Sequence, residues 1–263
     1  MLEKNEIIQA ALRNLKIEEL NPMQEASLEQ ATGRKDVILL SPTGSGKTLA
    51  YLLPLLLTLK LNDDSVQVLI LVPSRELALQ IDSVFKAMGT SWKTCCCYGG
   101  HPIAEEKKSI VGNHPAIIIG TPGRITDHLS KGNFDPETIE TLIIDEFDKS
   151  LEFGFHDEMA EIITQLPGLK KRILLSATDA EEIPEFTGLN RTVKLDFLSD
   201  ASEEQESRLK LMKVLSPSKD KIDTLYNLLC SLGSSSSIVF CNHRDAVAVS
   251  YTHLRAHETE LHL

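Results

Sequence analysis

Two short runs in this 263-residue chain carry residue types suited to phosphate chemistry. The first, Ser41-Pro42-Thr43-Gly44-Ser45-Gly46-Lys47-Thr48, follows an apolar strand pattern and precedes a helical one. Glycines at this spacing let successive backbone N–H groups curl around phosphate oxygens, and the helix that follows points its positive end at them. Thr43, Gly44, Ser45 and Gly46 are the expected cradle, Lys47 is placed to reach the β- and γ-phosphates, and Thr48 offers a hydroxyl to Mg²⁺. This is a Walker A pattern, with Ser41 where the general form has Gly. The second run, Leu142-Ile143-Ile144-Asp145-Glu146, is an apolar strand ending in two carboxylates. Open α/β sheets bind ligands at that end of their strands. Asp145 is expected to hold Mg²⁺, partly through water, and Glu146 to orient or deprotonate an attacking water.

Such groups need a rigid sheet to position them. Val37 to Leu40, Val66 to Val72, Ala116 to Ile119, Leu142 to Ile144 and Ile173 to Leu175 read as strands. They are nearly continuous in apolar character, as a parallel sheet covered on both faces requires. Helical patterns lie between them, for example Glu76 to Met88, Ile125 to Ser130 and Phe155 to Gln165. The alternation predicts a doubly wound α/β sheet with helices on both faces over residues 1–198. The polar, acidic stretch 199–207 is the predicted linker. Beyond it a strand at Arg208 to Leu215, a helix at Lys219 to Leu232 and a strand at Ser237 to Cys241 predict the start of a second α/β domain over 208–248. About forty residues are too few to build a core of their own.

Composition is that of an ordinary globular protein, 42% hydrophobic and 25% charged. The apolar stretch Leu49 to Leu59 is too short to cross a bilayer, and the charged N-terminus lacks a signal-peptide core, so the expected compartment is the cytoplasm, with no membrane partner. Thirty-eight acidic against 27 basic residues give a net charge of −11. That argues against a basic tail gripping nucleic acid, but not against binding through backbone amides and helix N-termini. Of five cysteines, three are consecutive, Cys95, Cys96 and Cys97. That spacing suits a buried strand better than a disulfide framework or zinc knuckles.

Further short motifs stand around the two carboxylates. Gln24 lies upstream of the phosphate loop. After it come Pro73-Ser74-Arg75-Glu76-Leu77-Ala78, Gly99-Gly100, Thr121-Pro122-Gly123-Arg124, Asp145-Glu146-Phe147-Asp148, Ser176-Ala177-Thr178 and Ile238 to Asn242. In kind and order these resemble the DEAD-box RNA helicase family across about 220 residues. The resemblance implies a RecA-like first domain followed by an incomplete second RecA-like domain, and ATP hydrolysis stimulated by RNA and coupled to RNA clamping and local duplex unwinding. It implies ATP and Mg²⁺ as ligands and single-stranded or duplex RNA as partner, held through its backbone without sequence preference. Gln24 would read adenine, since its amide both donates and accepts. Pro73, Ser74, Arg75, Gly100, Thr121, Gly123 and Arg124 would contact RNA phosphates. Asp148, Ser176 and Thr178 would couple the two sites.

The chain departs from the family at several positions. Phe147 stands where the family has Ala, and Ser74 where it has Thr. Ile7 and Leu20 replace the aromatic and the proline of the adenine-binding segment, so adenine stacking is expected to be weaker or differently built. The family's His-Arg-x-Gly-Arg-x-Gly-Arg motif, which supplies γ-phosphate arginines, is not among these residues. Val249 to Thr259 match the translation of a transposase-type sequencing-library adapter, so 249–263 are expected to be non-native. His253, His257 and His262 offer zinc-like spacing as the competing reading. A short ATP- and RNA-binding protein without turnover is the alternative function.

Overall fold

Continuous apolar strands are stable only when both faces are covered, and alternating side chains divide them between two cores. The computed structural model describes residues 2–30, 32–33, 35–179, 183–199, 210, 212–217 and 219–260. Seven strands form one parallel sheet: β1 (Val37–Leu40), β2 (Val68–Leu71), β3 (Thr94–Cys97), β4 (Ile117–Gly120), β5 (Thr141–Ile144), β6 (Lys171–Ser176) and β7 (Val193–Asp196). Their spatial order is β3-β4-β2-β5-β6-β1-β7. Val68, Ile70, Ile117, Ile119 and Ile143 face one core, with α1 (Leu2–Leu15), α2 (Pro22–Glu29), α3 (Lys47–Thr58) and α4 (Arg75–Ala87). Leu69, Leu71, Ile118, Leu142 and Ile144 face the other, with α5 (Ile103–Asn113), α6 (Pro122–Ser130), α7 (Phe147–Glu152) and α8 (His156–Thr164). The doubly wound RecA-like sheet expected from the sequence is therefore the fold.

Register brings the strand ends level. Leu40 pairs with Ser176, Ile144 with Leu174 and Leu71, and Gly120 with Leu71 and Cys97. The motif-bearing loops after β1 to β6 thus leave from one edge of the sheet. Gly120 permits this closeness: a Cβ there would lie 2.5 Å from the Cys97 carbonyl oxygen. The consecutive cysteines form β3, with Cys95 and Cys97 buried. Burial pushes the Cys96 thiol up to about 12, which keeps it protonated at neutral pH.

Two local expectations need correction. Strand β7, at the sheet edge beside β1, was not among the predicted strands; its half-buried, alternating residues do not form an apolar run. The predicted strand Ser237 to Cys241 does not form, and Ile238 and Phe240 are 82% and 91% exposed. A strand needs a neighbour to complete its hydrogen bonds, and none pairs with this segment among the described residues. The chain divides into two compact units, residues 1–208 and 209–263. In the second, the described residues form α9 (Ile222–Leu232) and α10 (Arg244–Glu260). Of the predicted strand 208–215, residues 208, 209 and 211 lie outside the described residues and the others are not strand. The predicted linker lies outside them too, apart from Ser199, as do the side chains of His253 and His257 and the whole of His262. No helix among the described residues is long and apolar enough to cross a membrane.

Candidate functional site

The run from Pro42 to Gly46 turns between β1 and α3, with Gly44 at φ 80° and Gly46 at φ 90°. Both values fall in the left-handed region that glycine adopts without steric cost. No side chain caps α3, so its first N–H groups remain available to an anion. Lys47 is buried and donates to the Ser41 carbonyl at 2.9 Å. The loop is braced from within, since the Ser41 and Ser45 hydroxyls share a hydrogen bond and Ser45 Oγ donates to the Pro42 carbonyl at 2.9 Å.

A second brace comes from α2. Asn21 caps that helix, accepting from the Gln24 N–H at 2.9 Å, while Gln24 Oε1 accepts from the Asn21 N–H at 3.1 Å. The same two side chains reach the loop: Asn21 Nδ2 donates to the Ser45 carbonyl at 3.0 Å and Gln24 Nε2 to the Gly46 carbonyl at 3.3 Å. Gln24 thus uses one of its acceptor sites and one of its two N–H groups locally, and keeps one of each. Ile7 is half-buried against the α1 side of the core.

Asp145 follows β5 and is 3% exposed. Its Oδ2 accepts from the Tyr51 hydroxyl at 3.0 Å and its Oδ1 from the Glu146 N–H at 2.9 Å. Burial holds its carboxyl above the usual range, opposed by the Tyr51 hydrogen bond and the charge of Lys47. Burial, then the Asp145 charge, pushes the Tyr51 hydroxyl well above its ordinary value. Tyr51, on α3, therefore ties the helix that begins at Lys47 to Asp145, a role the sequence reading missed. Its position four residues after Lys47, on the same helix face, was the available signal. The donor set is all oxygen, and a carboxylate whose charge is disfavoured by burial is relieved by a cation; both features fit Mg²⁺. Glu146 is half-exposed and adopts φ 49° as α7 begins. Next to it the Phe147 ring is 3% exposed and packs into the second core. The bulk expected beside the carboxylates is thus directed away from solvent.

The third loop at this edge follows β6. Thr178 Oγ1 donates to Asp148 Oδ2 at 3.0 Å, and the Ala177 N–H to the same oxygen at 3.3 Å. Ser176 reaches Asp148 only through its neighbour: its hydroxyl donates to the Thr178 carbonyl at 2.6 Å and accepts from the Thr178 N–H at 3.1 Å. These three loops come from β5, β6 and β1, which are adjacent in the sheet.

The remaining predicted residues lie on the other half of the same edge, after β2, β3 and β4. Pro73 ends in the Ser74 cap of α4, where the Ser74 hydroxyl accepts from the Leu77 N–H at 3.2 Å. The Arg75 guanidinium sits 4.9 Å from the centre of the Tyr98 ring, within cation–π range. Gly100 adopts φ 100° with open space where a Cβ would be. Thr121 precedes α6 and Gly123 is exposed in its first turn; the Thr121 side chain makes no capping bond. Arg124 is not a free surface charge: it donates from Nη1 to Glu106 Oε2 at 3.2 Å and from Nη2 to the His101 carbonyl at 3.0 Å. Sequence reasoning missed Glu106, because nothing in its local context marks it.

Comparison with known proteins gives a consistent result. Residues 21–186 match the DEAD/DEAH box helicase family. The chain is 30% identical over 261 residues to the mitochondrial DEAD-box ATP-dependent RNA helicase 9 of Arabidopsis thaliana, covering 95% of this chain and 42% of that protein. It is 34% identical over 236 residues to the ATP-dependent RNA helicase DbpA of Escherichia coli, covering 88% of this chain and 51% of that protein. The chain therefore spans about half or less of the length of these relatives. Among solved structures, a hypothetical ATP-dependent RNA helicase from Sulfolobus tokodaii aligns with TM-score 0.67 and 28% identity, over 86% of this chain and 72% of that one. Mss116p bound to ssRNA and AMP-PNP aligns with TM-score 0.65 and 26% identity, over 72% and 42% of the two chains.

Proposed function

The chain belongs to the DEAD/DEAH box helicase family, and on that premise we propose that it carries the ATP-binding half of an ATP-dependent RNA helicase. Lys47 moves from the Ser41 carbonyl to the β- and γ-phosphates, and the backbone N–H groups of Thr43 to Thr48 wrap those phosphates. The spare N–H and lone pair of Gln24 read adenine. Thr48 and Asp145 hold Mg²⁺, partly through water, and the ion supplies positive charge against the phosphate oxygens. Glu146 orients or deprotonates the attacking water. Pro73, Ser74, Arg75, Gly100, Thr121, Gly123 and Arg124 take the RNA backbone without regard to sequence. The Asp148–Thr178–Ser176 chain links the carboxylate loop to that after β6, so that ATP binding clamps RNA and hydrolysis releases it after local unwinding.

The observation that carries this reading is the meeting, at one edge of the sheet, of a lysine and an uncapped helix N-terminus after β1 with a buried carboxylate after β5, joined through Tyr51. Mss116p, solved with ssRNA and AMP-PNP, supports the assignment by likeness. No His-Arg-x-Gly-Arg-x-Gly-Arg stretch occurs in residues 1–263. Arginines of this kind contribute on the order of 10³–10⁵ in rate in P-loop enzymes, so this chain by itself is expected to bind ATP and RNA with little RNA-stimulated turnover. Titration with ATP, titration with single-stranded RNA and a hydrolysis assay test this together. Absence of ATP binding overturns the reading, and robust RNA-stimulated hydrolysis overturns the need for outside arginines.

A further inference from the structure

Glu106 lies on α5, outside every motif in the sequence, yet this carboxyl-bearing residue is 3% exposed. Its carboxylate is surrounded by donors. Oε1 accepts from the Tyr98 N–H at 2.8 Å, and His101 Nε2 lies 2.9 Å from the same oxygen. Oε2 accepts from Arg124 Nη1 at 3.2 Å and from His128 Nε2 at 2.7 Å. A carboxylate offers about four lone-pair sites, and these hydrogen bonds take three of them. The orientation of His128 is itself fixed from behind. Asn133 Nδ2 lies 3.0 Å from His128 Nδ1, so the amide donates there and the ring proton sits on Nε2, facing Glu106.

We propose that Glu106 is the positioning residue of the RNA-contacting edge, fixing Arg124 and the Tyr98–His101 turn in one arrangement. The proposal rests on the RNA reading of that edge. Its four partners come from two segments that reading needs: the turn containing Gly99 and Gly100, and α6 with Thr121 to Arg124 at its start. Glu106 and the His101 carbonyl take two of the five Arg124 N–H groups and leave three for a phosphate. A guanidinium already held in place loses less freedom when it binds. Cys97 Sγ also lies within 4.8 Å of the Glu106 and His128 ligand atoms. With a guanidinium among the donors to this carboxylate, the cluster is built around an ion pair rather than open to a cation.

The discriminating change is Glu106→Gln, which keeps the shape but turns an N–H₂ toward one pair of donors. Fluorescence anisotropy with a labelled oligouridylate, and separate titration with a fluorescent ATP analogue, are run on residues 1–263. The expected result is RNA affinity weakened by about ten-fold or more, from the loss of charge-assisted bonds, with ATP affinity unchanged. Glu106→Asp, which keeps the charge, retains more RNA affinity than Glu106→Gln. Arg124→Gln combined with Glu106→Gln loses less RNA affinity than the two single losses added together, because the two share the Arg124 contact. Wild-type RNA affinity in Glu106→Gln, full additivity with Arg124→Gln, or parallel loss of ATP and RNA binding overturns the positioning role alone. A wild-type chain that binds the ATP analogue but not the RNA overturns the reading of this edge, and the positioning role with it.

Discussion

Replacing Phe147 with alanine restores the residue the family resemblance leads one to expect, yet the structure implies a large loss of stability. The ring is 3% exposed and sits in the second core with Leu174, Ile144 and Met159. Phe→Ala in a packed core costs about 3–5 kcal/mol, with the cost rising as the residual void grows. Phe147 already borders a cavity of 280 Å³ shared with Ile38, Leu40, Leu174 and Ile183. On that side the ring has few packing contacts to lose, which places the cost near the lower end, about 3 kcal/mol. For a unit of roughly 200 residues each kcal/mol moves Tm by about 2–4 °C, so a fall of about 6–12 °C is expected. Thermal unfolding followed by circular dichroism, without nucleotide and at fixed pH, reads this directly. The family's alanine would instead be the better residue if the ring were strained beside Asp145 and Glu146. A Tm for Phe147→Ala equal to or above wild type would refute the packing argument.

Two other changes separate structural from functional roles. Burial raises the Asp145 carboxyl, so its ionisation destabilises the fold; that cost is absent below its unfolded pKa and complete above its folded one. The stability of the nucleotide-free chain should therefore lose a contribution as pH rises through that window. Asp145→Asn should melt higher than wild type at neutral pH, with a gap that narrows toward about pH 4; a lower melting point at pH 7 would contradict this. Thr178→Val removes the 3.0 Å bond to Asp148. It should leave ATP and RNA affinities unchanged when each is measured alone, and reduce the effect of one ligand on the other. Unaltered coupling, measured in a protein that contains both helicase domains, would show that this bond does not link the sites.

The sequence revealed what depends on neighbours in the chain and hid what depends on convergence. Strands β1, β2, β4, β5 and β6 were legible because burial on both faces demands continuous apolar runs, and β3 because three cysteines favour burial. Strand β7 escaped because an edge strand is only half covered. Ser237 to Cys241 misled for the opposite reason: an apolar run specifies a strand only where partners exist to pair with it. At the site, the phosphate loop and the Asp145–Glu146 pair announce themselves within eight and two residues. Tyr51 meets Asp145 across 94 positions, and Glu106 gathers donors from as far as 22 positions away. Arg124 shows the limit most clearly, since its motif suggested a phosphate contact and only the fold reveals the carboxylate that holds it.

The central claim is that Lys47, the loop before it and Asp145 form a Mg²⁺-dependent ATP site. Its most direct test is equilibrium ATP binding by wild type and Lys47→Ala, each with and without Mg²⁺. One charge-assisted phosphate contact is worth about 1.5–3 kcal/mol, so Lys47→Ala should bind ATP at least about ten-fold more weakly, and withdrawing Mg²⁺ should weaken the wild type. Equal ATP affinity in the two proteins, indifferent to Mg²⁺, would contradict the account.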